Sequence, residues 1–263
     1  MSQEDTIQLD IQHQVARVFL NRPANLNSFN AEMHQNLSDV LDQIAADTSI
    51  RAMLLSGNGK GFCAGQDLSD PGVMPGNQND LSRIIGERYN PLVLKLRALT
   101  IPTVCAVHGV AAGAGANIAL HCDLVIAGKR SRFIQAFCKI GLIPDSGGTW
   151  LLPRLVGQQR AMGLALLGDS ITGEIAEQWG LIWRSFEDAS LLEEADKLCQ
   201  HLATQPTRGL ALIKQAMAAS WQNSLPEQLD LEKDLQKIAG RSDDYAEGVR
   251  AFTEKRPPDF SGN

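Results

Sequence analysis

Polar and apolar residues alternate over Ile7 to Ile11, apolar ones dominate Val15 to Leu20, and the polar Gln12-His13-Gln14 lies between them. This pattern predicts two paired strands joined by a turn. Asn30 is a suitable helix cap, and Met33, Leu37, Val40, Leu41 and Ile44 then recur at helical spacing to a stop near Asp47. A strand follows over Ala52 to Ser56, closing a strand, strand, helix unit. Apolar strands return at Thr103 to Val107, Leu124 to Ala127 and Arg132 to Gln135, separated by helical stretches, one of which carries Leu81, Ile84, Ile85, Tyr89, Leu92 and Leu96. Strands alternating with helices indicate an α/β architecture. Beyond about Asp196 the pattern is wholly helical: Leu198 to Ala203, Gly209 to Trp221, Leu229 to Ala239 and Tyr245 to Thr253. The chain therefore divides into a body, residues 1–195, and a helical region, residues 196–263, that packs on the body or on another subunit. The Pro-, Gly- and Asn-rich stretch from Asp70 to Asp80 reads as a lid or pocket wall, or as a plain surface excursion, with Ile84, Tyr89 and Asn90 as pocket candidates beside it.

Three glycine-containing loops interrupt this pattern. Gly61-Phe62-Cys63-Ala64-Gly65-Gln66-Asp67-Leu68 follows the strand ending near Ser56, and Gly109 to Asn117 follows the strand ending at Val107. In Gly141-Leu142-Ile143-Pro144-Asp145-Ser146-Gly147-Gly148-Thr149 a single carboxylate stands where a Pro-bearing turn meets two glycines and a helix start. Glycine lets the backbone approach a ligand closely, and amides near a helix start point at negative charge. Two such loops converging make an oxyanion hole, with Asp145 as the working residue. Each loop taken alone is equally an ordinary strand-to-helix turn. A lone Asp beside an oxyanion hole suits proton transfer at a carbon acidified by a carbonyl, or nucleophilic attack. Apolar neighbours such as Leu142 and Trp150 are expected to raise its pKa.

Composition narrows the choices. At 263 residues and 44% hydrophobic the chain buries a full core, and a net charge of -6 with no dense basic run speaks against nucleic acid or an anionic membrane as partner. The five cysteines show no metal-finger spacing, and the acidic start Met1-Ser2-Gln3-Glu4-Asp5 has no basic n-region, so a reducing, cytoplasmic setting is expected. Gly113-Ala114-Gly115 fails the dinucleotide fingerprint because Ile118 stands where its third glycine belongs. The five histidines lack ligand spacing, which argues against a metal, and His108 and His121 read as core or hydrogen-bonding residues. Ser146 is not in a GxSxG elbow, which leaves a serine hydrolase as a weak alternative.

The loops, in this order, resemble the crotonase (enoyl-CoA hydratase/isomerase) superfamily, and the likeness runs from about Ile7 to Phe260. Asn21-Arg22-Pro23, Phe62 to Leu68, Gly109 to Asn117, Ile143 to Thr149 and Phe252 to Arg256 carry it. The resemblance implies a spiral of repeated ββα units, a C-terminal helical region used in trimer formation, and an acyl-CoA ligand, coenzyme A being part of the substrate and no other cofactor needed. It places the oxyanion hole at the amides of Gln66 and Ala114. It also places CoA contacts at Ala64, Asp67 and Leu68, and at Phe252 and Lys255, which in some members reach across a subunit boundary. Family hydratases activate water with two glutamates; this chain has Asn117 and Phe137 at the corresponding places, which shifts the catalytic carboxylate to Asp145, as in isomerase-type members. Gly141 to Arg154, Arg160 to Gly168 and Asp243 to Val249 resemble the isomerases of the phenylacetate branch.

The expectation is therefore an acyl-CoA isomerase in which Asp145 takes a proton from the carbon beside the thioester and the Gln66 and Ala114 N–H groups stabilise the enolate oxygen. The remaining alternatives are a hydratase working with Asp145 alone, a hydrolase or dehalogenase using it as nucleophile, and a non-catalytic CoA-binding scaffold subunit. A homotrimer or dimer of trimers is expected, with a hetero-complex with a related hydratase as a further option.

Overall fold

The computed structural model describes residues 5–74 and 80–263, so the stretch read as a lid lies partly outside the described residues. Its body is a six-stranded sheet of β1 (Ile7–Gln12), β2 (Val15–Leu20), β3 (Ala52–Gly57), β4 (Thr103–Val107), β6 (Leu124–Gly128) and β9 (Arg184–Phe186), in the order β1-β2-β3-β4-β6-β9. The β1/β2 pair is antiparallel and every other pair is parallel. A smaller sheet has the order β5 (Val110–Ala112), β7 (Arg132–Ile134), β8 (Ser170–Thr172).

The central strands β3 and β4 are buried throughout and mostly apolar, because both faces of the sheet are covered. Met53, Leu55, Cys105 and Val107 face the larger core with α1 (Ala31–Ala46), whose Met33, Leu37, Leu41 and Ile44 are buried. The alternate residues Ala52, Leu54, Val104 and Ala106 face a second core, filled by Leu191, Ala195, Cys199 and Ala203 of α8 (Leu191–Ala203). α8 therefore completes the body and begins ahead of Asp196, with α9 (Thr207–Ala219), α10 (Leu225–Ala239) and α11 (Asp243–Glu254) following.

Asn30 caps α1 as its sequence suggests, its side chain accepting from the Met33 N–H at 2.9 Å. The helix expected over Leu81 to Leu96 forms, interrupted by one wide turn. α2 (Leu81–Ile84) passes through a π turn, Ile85–Tyr89, into α3 (Asn90–Ala98). Pro91 offers no N–H to the Glu87 carbonyl, and the Asn90 N–H reaches back to Ile85, widening the turn by one residue. The glycine loop from Gly109 also contains more structure than expected: Val110–Ala112 is a strand, and α4 (Ala114–Ala119) starts directly after Gly113.

Candidate active site

The first two loops leave the carboxyl ends of β3 and β4, the customary ligand edge of a parallel sheet. Asn27 fixes the first: its Nδ2 donates to the carbonyls of Asn58 (2.9 Å), Gly61 (2.9 Å) and Phe62 (3.1 Å). Backbone bonds then join the loops, Cys63 N–H to Val110 O at 3.0 Å and Ala112 N–H to Cys63 O at 2.9 Å. Gly65, at φ +91°, lies so close to the second loop that an added methyl would stand 2.8 Å from Ala112 O and 3.5 Å from Ala114 N.

This crossing leaves two amides free. Phe29 bridges across Gln66, its N–H bonding Gly65 O at 2.7 Å and its carbonyl accepting from Asp67 N–H at 2.9 Å, so the N–H of Gln66 itself faces away. Ala114 is the first residue of α4, where an N–H has no partner within the helix. Among the described residues neither N–H has an acceptor.

Asp145 is half-buried on a turn that rests on α4 and the residues just after it. Asn117 Nδ2 donates to Asp145 O at 2.8 Å, and His121 Nε2 bonds Ser146 O at 2.9 Å. Burial raises the Asp145 carboxyl above its ordinary value, against the opposing hydrogen bond from Ser146 Oγ at 2.9 Å. The direction of the shift is the one expected. Trp150 stacks with Trp221 at 4.4 Å, under Arg97 and Arg154, and Leu142 is exposed. Tyr89 is buried and donates to Gln66 Oε1 at 2.8 Å, and burial first, with nearby charges that include Asp145, raises its pKa.

Asn117 is fully buried, and the Phe137 ring lies beneath Gly113, 3.7 Å from where a methyl on that glycine would sit. Neither supplies a carboxylate. Of the residues assigned to CoA, Ala64 and Leu68 lie on the oxyanion loop, Leu68 exposed. The Asp67 carboxylate turns inward to Arg22 (2.9 Å) and Ser69, whose hydroxyl hydrogen bond is the main cause that holds its pKa below the ordinary value. Phe252 and Lys255 are at the end of α11, and among the described residues no hydrogen bond, ion pair or ring contact links them to the loops. Sequence reasoning passed over Gln135, whose Nε2 donates to Asn117 Oδ1 at 2.8 Å. Its only signal was a polar residue at the end of an apolar strand.

The model of the family described as enoyl-CoA hydratase/isomerase matches residues 10–263. The chain belongs to that family. This enoyl-CoA hydratase/isomerase family member is 55% identical, over 94% of its length and 95% of the relative's, to the 1,2-epoxyphenylacetyl-CoA isomerase of Escherichia coli. It is 44% identical to a probable enoyl-CoA hydratase of Rhodobacter capsulatus, covering 98% of each chain. The crystal structure of a putative enoyl-CoA hydratase from Streptomyces coelicolor superposes with a TM-score of 0.93 at 34% identity, over 100% of this chain and 96% of that one. The α/β crotonase-type fold expected from the loops is thus the fold of the family's solved members. Among the described residues no helix is long and apolar enough to cross a membrane.

Proposed function

We propose that the protein is an acyl-CoA isomerase in which Asp145 removes a proton from the carbon next to the thioester and returns it elsewhere, the enolate oxygen being held by the N–H groups of Gln66 and Ala114. The observation that carries this reading is the pairing of two unsatisfied amides at the loop crossing with one desolvated carboxylate, while Asn117 and Phe137 occupy the places of the hydratase glutamates. By likeness to the Escherichia coli relative's name, one substrate is 1,2-epoxyphenylacetyl-CoA; the resemblance to the phenylacetate-branch isomerases adds its conversion to the oxepin-CoA and the shift of 3-enoyl-CoA to 2-enoyl-CoA. Ala64, Asp67 and Leu68 shape the CoA-binding loop of the same chain, and Phe252 and Lys255 reach CoA from a neighbouring subunit. Coenzyme A enters only as part of the substrate.

Phe252 is 87% exposed, and Ile213, Met217, Leu225, Leu229 and Val249 are exposed with it on α9 to α11. Such an apolar surface supports burial against further copies of the chain, as a homotrimer or dimer of trimers, or against a related hydratase. The setting proposed is the cytoplasm.

Incubation of the purified protein with a 3-enoyl-CoA is expected to yield the conjugated 2-enoyl-CoA, read by its ultraviolet absorbance, with no 3-hydroxyacyl-CoA from added water. Hydration in place of isomerisation would move the assignment to the hydratase reading carried by the Rhodobacter relative's name. The pH profile provides a second test. Only the ionised carboxylate takes a proton, and burial raises its pKa, so kcat/KM is expected to fall on the acid side at a pH above the ordinary Asp value of 3.8. An acid limb at or below that value would contradict the desolvated base.

A further inference from the structure

We infer that Asn117 and Gln135 are positioning residues for Asp145. Their paired amides, with His121 beside them, fix the turn that aims its carboxylate, so the residue in the hydratase glutamate's place serves the isomerase base instead. The inference rests on the role proposed for Asp145 and adds two residues to it.

The turn has an unusual backbone. Ser146 has φ +48° and Gly147 φ +75°, two successive left-handed residues, the first of them with a side chain. Such a conformation persists only where its surroundings over-determine it. Here the flanking carbonyls are both captured from α4 and the turn after it: Asp145 O by Asn117 Nδ2 at 2.8 Å, Ser146 O by His121 Nε2 at 2.9 Å. The fit leaves no slack, since a methyl on Gly148 would collide with the Asn117 amide and one on Gly147 would stand 2.7 Å from His121 Nε2.

The amide orientation is dictated by chemistry. Asn117 must turn its NH2 toward Asp145 O, because the reverse would set two acceptors face to face. Its Oδ1 then needs a donor, which Gln135 Nε2 supplies at 2.8 Å, and among the described residues Gln135 Oε1 is left buried without a partner. That uncompensated oxygen marks the direction in which the pair is constrained. His121 is constrained likewise. Burial, aided by the Arg97 charge, pushes it down to about 4, against its bond to Ser146, so it is neutral. With Nδ1 unpartnered among the described residues, its proton is on Nε2, where Ser146 O accepts it. Because α4 also begins with the Ala114 amide, one short element sets the oxyanion donor and, through Asn117, the turn that bears the carboxylate.

The test compares wild type with Asn117→Ala, Gln135→Glu and the milder Gln135→Met. The readouts are kcat and KM for a 3-enoyl-CoA, melting temperature, and titration of the Asp145 carboxyl followed by its 13Cγ resonance, assigned with Asp145→Asn. Gln135→Glu confronts Asn117 Oδ1 with a second acceptor and turns the amide away from Asp145. It and Asn117→Ala are expected to lower kcat at least about tenfold while KM stays within about threefold. Asp145 is expected to titrate at lower pH in Asn117→Ala and Gln135→Met as water reaches the loosened turn; in Gln135→Glu the added carboxylate opposes that fall, so that variant is read by kcat and KM. Tyr89, His121 and Arg97 are the titratable groups facing this region, and all three are retained in these variants. An unmoved Asp145 titration in folded Asn117→Ala and Gln135→Met would overturn the inference, whatever happened to kcat. If wild type shows no isomerisation, the proposed function fails; a titration that still moves would sustain the clamp, and one that does not would remove it as well.

Discussion

Asp145→Asn is expected to lower the rate of 3-enoyl-CoA isomerisation by about a thousandfold or more, with affinity for a CoA ester within about threefold of wild type. The substitution keeps the size of the side chain and the backbone carbonyls gripped by Asn117 and His121, and removes only the proton acceptor. It is also expected to raise the melting temperature at neutral pH. Burial raises the folded-state pKa of Asp145, so between the ordinary value of 3.8 and the raised one the folded chain binds more protons than the unfolded chain. Stability is therefore lost as pH rises through that window, and above it the ionised carboxylate opposes folding. Asparagine removes that opposition, so activity and stability should move in opposite directions. Kinetics, calorimetric binding of a CoA ester and thermal melts at neutral pH check all three statements. Turnover retained at the wild-type level would end the assignment.

Gly65→Ala is expected to produce the next largest loss, about a hundredfold or more in kcat, the scale of one oxyanion donor. At φ +91° an alanine is strained, and its methyl would lie 2.8 Å from the Ala112 carbonyl, which is backbone and held by Ile134 through the neighbouring Gly113 N–H. The two loops must then separate, which moves the Gln66 N–H from its place opposite Ala114. Gly113→Ala makes a useful companion, because φ +53° strains the backbone while the nearest atoms, on the Phe137 ring, stand at an ordinary 3.7 Å. A crystal structure of Gly65→Ala with both amides in place and full activity would contradict the oxyanion assignment.

How much of this was legible in the sequence differs by element. The cap at Asn30, the strand Val15–Leu20 and the mostly apolar strand Thr103–Val107 depend on local spacing, and their residues read correctly without tertiary information. The same holds for the glycines at 65 and 113, whose positive φ values follow from a close crossing of loops. The break at Pro91 was visible as a residue but not as a π turn, because the helical period continues through Leu92 and Leu96. Val110–Ala112 is too short to show a period, and its strand exists only because β7 and Cys63 pair with it. The ring of Trp150 meets Trp221 and two arginines, contacts that no spacing along the chain announces. Gln135 was the hardest to see: an amide that orients another amide gives no pattern along the chain, only a geometry between β7 and α4.

The most direct test of the proton transfer uses a 3-enoyl-CoA carrying deuterium on the carbon next to the thioester, with wild type and Asp145→Asn in parallel and the products read by mass spectrometry. Wild type is expected to remove the label from that carbon at the rate of turnover and deliver a proton or deuteron to the far end of the shifted double bond, while Asp145→Asn leaves the label where it was. Label lost at the wild-type rate from the Asp145→Asn reaction, or wild-type product bearing oxygen from water, would contradict a single carboxylate shuttling the proton.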